Sequence, residues 1–350
     1  MTKRRNRLEA FIANLMPILR YILRRLLYMV PVLIIISLML FFLMEIVPGD
    51  PVFSFIKPEE FLGMNTAQLN EYVEHLRVKL GLVGPFYVRY AKWFLRFLTG
   101  DLGYSTALKK MVADELPRYL FNSFLLNIGA FVLSFVIATY IGIKSAVKRH
   151  SFFDRFFTVF SLMGISLPSF FIALILIFIF VIKIPWFPFG GRINPALGHQ
   201  PGTWAYNLDV LHHLALPTMV ITIGSMASII RYVRNSMLEV LKQDYIRTAK
   251  AKGLNDKIVI YRHAFRNALI PLVTLIGNSI PALFSGAIIM ERIFAWPGMG
   301  RLMNLAYQQR DRTLIVVVTL FFSILMLLSN LLVDISYAFV DPRIKVGDDT

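Results

Sequence analysis

Leu26–Val47 is an apolar run of about 22 residues, and as a helix it reaches roughly 33 Å, enough to cross the hydrocarbon core of a bilayer. Comparable runs follow at Phe121–Ile143, Phe157–Ile182, Leu214–Ile230, Leu269–Ile289 and Leu314–Phe339. In lipid the backbone polar groups must be satisfied within the segment, so runs of this length are helices. The expected fold is an all-α polytopic membrane protein with six transmembrane helices. The fourth run is the weakest, short and threaded with Thr222, Gly224, Ser225 and Ser228. A hydrophobic share of 57% with 30 phenylalanines excludes an ordinary soluble domain. The first run is longer than a signal core and lacks a small-x-small exit, so it reads as a retained anchor.

Six spans put both termini on one side, and the Lys/Arg balance says which. The segments 1–25, 144–156, 231–268 and 340–350 carry 22 Lys/Arg in 87 residues, while 183–213 and 290–313 carry 6 in 55. The positive-inside rule makes the first set cytoplasmic. The long segment 48–120 faces outward, since long segments cross largely regardless of charge. A net charge of +16 then reflects loops facing anionic lipid rather than nucleic acid. Residues 1–25 form a basic extension whose apolar piece Phe11–Leu19, interrupted by Pro17, could lie flat on the inner leaflet. Residues 26–340 form the membrane domain and 341–350 a cytoplasmic tail. In the outer segment, Tyr87–Leu98 reads as an aromatic amphipathic helix suited to the membrane–water interface.

The cytoplasmic loop 231–268 carries more structure than a connector needs. Asp244–Lys252 is rich in helix formers, Gly253 supplies a left-handed end, and Leu254 follows as the apolar contact. Asn255 can cap the next helix, on which Ile258, Tyr261 and Phe265 share one α-helical face.

Catalytic chemistry finds little support. Cysteine is absent, so thiolate catalysis and cysteine-based metal sites are excluded. The six histidines lie in loops or at span edges, and the adjacent His212 and His213 point about 100° apart on a helix. The dipeptide Gly-Lys is absent, so there is no phosphate-binding loop of the Walker type and any ATP must be bound by another polypeptide. Of the intramembrane carboxylates, Glu45 falls near the outer end of the first span and Asp334 near the inner end of the last, which suits interfacial pairing better than a proton relay. Small and hydroxylated residues inside the middle spans serve either close helix packing or an aqueous path. Ser166, Ser169, Ser225 and Ser228, with Asn278, Ser279 and Ser285, are the candidates for such a path.

The loop resembles the cytoplasmic loop of binding-protein-dependent ABC importer permeases. Their Glu-Ala-Ala, three residues, Gly pattern is matched at Ala249 and Gly253, while Arg247 and Thr248 replace the Glu and first Ala; Asn267-Ala268-Leu269-Ile270-Pro271 closes the segment. Asp244-Tyr245-Ile246-Arg247-Thr248-Ala249-Lys250-Ala251-Lys252-Gly253-Leu254 is similar to the version of the oligopeptide/dipeptide/nickel branch. So are Val47-Pro48-Gly49-Asp50-Pro51, Gly100-Asp101-Leu102-Gly103-Tyr104-Ser105, Ser166-Leu167-Pro168-Ser169-Phe170, the run Glu291–Gly300 (ERIFAWPGMG) and Asp341-Pro342-Arg343. Arg310-Asp311-Arg312-Thr313 departs from the commoner Arg-Asp-Tyr-Pro. The motif order resembles the first of two paired permeases.

That resemblance implies a type I ABC importer permease fold in a bacterial or archaeal cytoplasmic membrane. It implies a transport subunit rather than an enzyme, with no cofactor of its own and ATP/Mg used by partners. The partners would be a second permease, two cytoplasmic ATP-binding subunits and an external solute-binding protein that delivers a short peptide or similar solute. Asp244, Tyr245, Arg247, Thr248, Ala249, Ala251, Lys252, Gly253 and Leu254 would form the coupling helix docked on the ATPase. The alternative is an ion-coupled secondary carrier or channel, which needs mid-membrane charge or a pair of discontinuous helices.

Overall fold

The computed structural model describes residues 2–46, 52, 64–79 and 83–340, with side chains for all of these except 2–19, 79, 270, 271, 273, 274, 278 and 336–340. The proline-bounded segment after the first span and the closing Asp341-Pro342-Arg343 lie outside them. The chain forms two compact units, Met1–Leu120 with Leu302–Ala338 and Pro342–Thr350, and Phe121–Arg301 with Phe339–Asp341.

In the first unit, α1 (Thr2–Ile46) runs 45 residues without a break. The boundary expected near residue 25 is therefore not marked by an interruption, and Pro17 is carried within the helix. A proline forfeits one backbone bond, which neighbours rich in Leu, Arg and Met can outweigh. α2 (Thr66–Lys79) and α3 (Phe86–Leu98) follow. The aromatic face of α3 packs on α1: Phe41, 1% exposed, has the rings of Phe86, Tyr90 and Trp93 at 5.4–5.7 Å. Glu45 pairs with Arg89 of α3 at 2.9 Å, and Asp334 pairs with Arg25 at 3.3 Å. A two-residue ribbon, β1 (Tyr104–Ser105) with β2 (Lys110–Met111), adds the one strand pair of an otherwise helical chain among the described residues. Asp311 fixes it. One oxygen of Asp311 accepts from Ser105 Oγ (2.6 Å) and Ala107 N–H (3.0 Å), and the other caps the last helix through Leu314 N–H (3.0 Å).

α4 (Val112–Val147), 36 residues long, leads into the second unit. α5 (Phe152–Ser166) is capped by Ser151 Oγ, which accepts from Asp154 N–H. The span expected at Phe157–Ile182 is broken. Leu167, forced out of the helical region by Pro168, is extended (φ −82°, ψ 130°), and α6 (Ser169–Ile177) with its π-helical continuation Phe178–Lys183 leaves α5 at 105°. α7 (Trp204–Val240) runs ten residues past each end of the apolar run Leu214–Ile230 and carries Pro217 inside it. α5 and α7 approach closely: a Cβ on Gly164 would meet Ala227 Cβ at 2.7 Å.

α8 (Asp244–Ala251) and α9 (Asp256–Ile258) precede the π-helical turn Val259–Phe265, α10 (Arg266–Ala268) and α11 (Ile270–Ser285). α11 stops at Gly286 (φ +76°), short of the expected Ile289, and the short helix α12 (Ile288–Ile293) follows. α13 (Met299–Gln308) and α14 (Arg312–Val340) complete the chain. Four described helical segments are long and apolar enough to cross a membrane, Arg20–Ile46, Val112–Val147, Trp204–Val240 and Arg312–Ile335, and the bent α5–α6 pair makes a fifth if it is one span. The 16 residues of α11 form a further, shorter apolar helix.

Candidate functional site

α8 separates its residues by face. Ile246 (1% exposed) and Ala249 (7%) point into the second unit, while Asp244, Tyr245, Arg247, Thr248 and Ala251 are exposed. The two buried residues belong to an apolar cluster with Ile143 and Ala146 of α4, Val233 and Met237 of α7, and Leu272 of α11. Ser236 Oγ of α7 adds a hydrogen bond to the Ala268 carbonyl at 3.2 Å. A displacement of α8 therefore acts on α4, α7 and α11 through packed side chains, which have few ways to yield.

The end of α8 is a Schellman turn. Gly253, at φ +72°, donates its N–H to Lys250 O (3.0 Å), and Leu254 N–H reaches back to Ala249 O (3.4 Å). Lys252 and Gly253 are exposed at this turn, and Leu254 is 39% exposed. Asn255 Oδ1 then accepts from Lys257 N–H at 2.9 Å and caps the following turn. That turn corrects the expected α-helical face. Val259 and Ala264, five residues apart, are both fully buried, as π-helical spacing requires, whereas Ile258 (43%) and Tyr261 (52%) are exposed. With Tyr245 and Leu254 they add apolar surface beside the charges of α8.

The residues proposed for a path are only partly gathered. Ser228 of α7 and Ser279 of α11 line one cavity of about 480 Å³, together with Phe131, Phe135 and Leu275. Ser166 and Ser169 flank the α5–α6 break and are exposed, the hydroxyl of Ser166 donating to its own helix at Leu162 O. Ser225 and Ser285 are half-buried outside that cavity's lining, and the side chain of Asn278 lies outside those described. His212 and His213 serve different partners. His212 Nε2 lies 2.7 Å from Trp186 O, and His213 Nδ1 lies 3.1 Å from buried Asp209 Oδ1.

Two buried carboxylates carry roles that the sequence does not declare, Asp154 and Glu291 of the ERIFAWPGMG run. Asp154 is held by Arg234 of α7 in two contacts, 2.5 and 3.0 Å, and accepts from His150 N–H, which locks the start of α5 to α7 near its C-terminal end. The signal was Asp-Arg embedded among phenylalanines at Phe152–Phe157, a charge that needs a buried partner. Glu291 is wholly buried. It accepts from Ser123 Oγ of α4 (2.7 Å) and Arg301 N–H (2.9 Å), and Ser123 Oγ in turn accepts from Met299 N–H (2.7 Å). Trp296, also fully buried, donates its indole N–H to Asn122 O. Burial pushes the Glu291 carboxyl above the usual carboxylate range, against the hydrogen bonds that pull it down. A Cβ on Gly300 would meet Ile288 N and Cα at 2.7 Å, so the glycines of the Glu291–Gly300 segment permit the backbone to close around this carboxylate.

The family described as binding-protein-dependent transport system inner membrane component matches residues 136–346, and its N-terminal component matches residues 18–111. The oligopeptide transport system permease protein AppB of Bacillus subtilis (strain 168) is 37% identical over 327 residues, 93% of this chain and 99% of the relative. The dipeptide transport system permease protein DppB of Alkalihalophilus pseudofirmus is 37% identical over 339 residues, again 93% and 99%. A Brucella suis biovar 1 protein that carries a peptide-permease name is 40% identical over 329 residues, 94% and 99%. The chain belongs to the binding-protein-dependent family of ABC transporter inner membrane components, as a multi-pass permease subunit that works with a solute-binding protein and leaves ATP hydrolysis to a separate subunit.

Proposed function

We propose that this chain is one of two paired permeases of an importer for short peptides or similar solutes, and that α8 is the helix through which a cytoplasmic ATPase drives it. The observation that carries the reading is the division of α8 into an exposed polar face and the buried pair Ile246 and Ala249. A helix of this kind can be gripped on one side and transmit a rigid-body push on the other. The names of the relatives support the peptide cargo. Arg20–Ile46, Val112–Val147, the bent α5–α6 pair, Trp204–Val240, the shorter α11 and Arg312–Ile335 would make the six crossings. The Lys/Arg asymmetry supports cytoplasmic termini and a cytoplasmic α8 in a bacterial or archaeal membrane. The outer segment 48–120 and the corner around Glu291 would then face the solute-binding protein. Two ATP-binding subunits using ATP/Mg complete the assembly.

The test is purification of the complex in mild detergent with Tyr245→Ala and Arg247→Glu. Both are expected to lose ATPase subunits while the permease keeps its thermal stability. Full retention of the ATPase by both variants would refute the docking face.

A further inference from the structure

Along α7, Ser228, Arg231, Tyr232, Asn235, Ser236 and Glu239 recur at steps of three and one, so they form a single stripe on the helix. The opposite face, with Ile230, Val233 and Met237, is buried. The stripe is one wall of the cavity of about 480 Å³, and the facing wall is mainly apolar, built from Phe131 and Phe135 of α4 and Leu275 and Ile276 of α11, with Ser279, whose hydroxyl donates to Leu275 O, as its polar residue. Glu239 ends the stripe, and Arg231 lies about one turn in from Ser228 at its other end. Eight helical residues separate Arg231 and Glu239 by about 12 Å along the axis, too far to pair with each other, and neither has a charged partner among the described residues.

A cation and an anion set apart along a polar stripe, facing a mainly apolar wall, complement a molecule with a carboxylate at one end and an ammonium at the other. It should carry amide groups between its ends and apolar groups on one side. An extended peptide spans about 3.3–3.6 Å per residue, so about 12 Å corresponds to three or four residues. The phosphate and ammonium of a zwitterionic lipid, joined by two carbons, are too close together to reach both charges.

We propose that this cavity is a transit subsite for a free-ended peptide of three or four residues. Arg231 takes its carboxylate, Glu239 its ammonium, and Asn235 and Ser236 hydrogen-bond its backbone. The proposal rests on the peptide-importer reading and adds a place, a length and an orientation to it.

The absence of cysteine from the chain allows a direct test. In the assembled transporter, Asn235→Cys is alkylated with a water-soluble maleimide while tetra-alanine is titrated in. Tetra-alanine is expected to slow labelling. Adding Arg231→Gln to the same chain should raise the half-protecting concentration about tenfold, the scale of one hydrogen bond to a charged group. The C-amidated peptide should protect weakly in both backgrounds and lose nothing further with Arg231→Gln; the N-acetylated peptide should behave likewise with Glu239→Gln. Lys148→Gln, an exposed residue outside the cavity, should leave every value unchanged. Labelling that is indifferent to tetra-alanine, a cysteine that never labels because another subunit fills the cavity, or equal losses for free and capped peptides would each overturn the subsite. Failure of the importer reading would look different: protection would persist while the unaltered transporter took up no peptide.

Discussion

The second unit contains two polar constructions that differ in what they leave free. At Glu291 the carboxylate is buried and bonded to a hydroxyl and backbone N–H groups, and the fully buried Trp296 packs nearby. At α8 only Ile246 and Ala249 are inside, and Asp244, Tyr245, Arg247 and Thr248 remain in the open. The Asp244–Arg247 pair, 3.6 Å apart and exposed on both sides, stabilises the helix by little. The first arrangement holds a backbone in one shape. The second presents a surface while anchoring its underside.

The sharpest way to break this contrast is to remove the buried carboxylate. Glu291→Ala strands the Arg301 N–H and the Ser123 hydroxyl in a closed site, and each such orphan costs about 1–3 kcal/mol, so a large drop in thermal stability is expected in detergent. On the α8 side, Ala249→Leu forces a larger side chain into the cluster with Val233 and Leu272 and should cost about 1–3 kcal/mol, with loss of uptake because α8 is displaced. Outer-face changes such as Thr248→Ala should leave thermal stability within about 0.5 kcal/mol.

The pH dependence of stability distinguishes the two constructions further. The Glu291 carboxyl is raised in the fold, so the stability it contributes is full below the ordinary glutamate range and declines as pH rises through its folded value. Glu291→Gln, which cannot ionise, is expected to flatten that decline when melting is followed from acid to neutral pH. An unchanged slope would show that the carboxylate is not the group responsible. A small effect, above that of Thr248→Ala, is expected at Gly253→Ala. Its φ of +72° disfavours a side chain, yet no atom lies within 4 Å of the added Cβ, so the cost is backbone strain of about 1 kcal/mol.

Where α8 stops and the next turn starts was legible in the sequence, because both rest on local chemistry. Gly253 and Asn255 specify a left-handed stop and a cap with no tertiary help. The inner face was not legible: Ile246 and Ala249 are set apart from Tyr245 and Ala251 only by what the ends of α4, α7 and α11 place beneath them. The π-turn was missed because apolar residues at α-helical spacing suggested another face, and Val259 with Ala264 declares its period only once both are packed. Long apolar runs revealed the spans, but α7 showed its full length only because the polar residues Arg231–Glu239 continue the same helix. Glu291 stands in the ERIFAWPGMG run, yet its role depends on Ser123, which is distant in the sequence.

The central claim is that α8 offers one face to the ATPase and the other to its own protein. Single cysteines at Tyr245, Thr248 and Ala249, in a chain that has none, can be tested for cross-linking to the ATPase subunit in the assembled transporter. The account predicts cross-links from Tyr245→Cys and Thr248→Cys and none from Ala249→Cys. Cross-linking from Ala249→Cys with none from Thr248→Cys would contradict it.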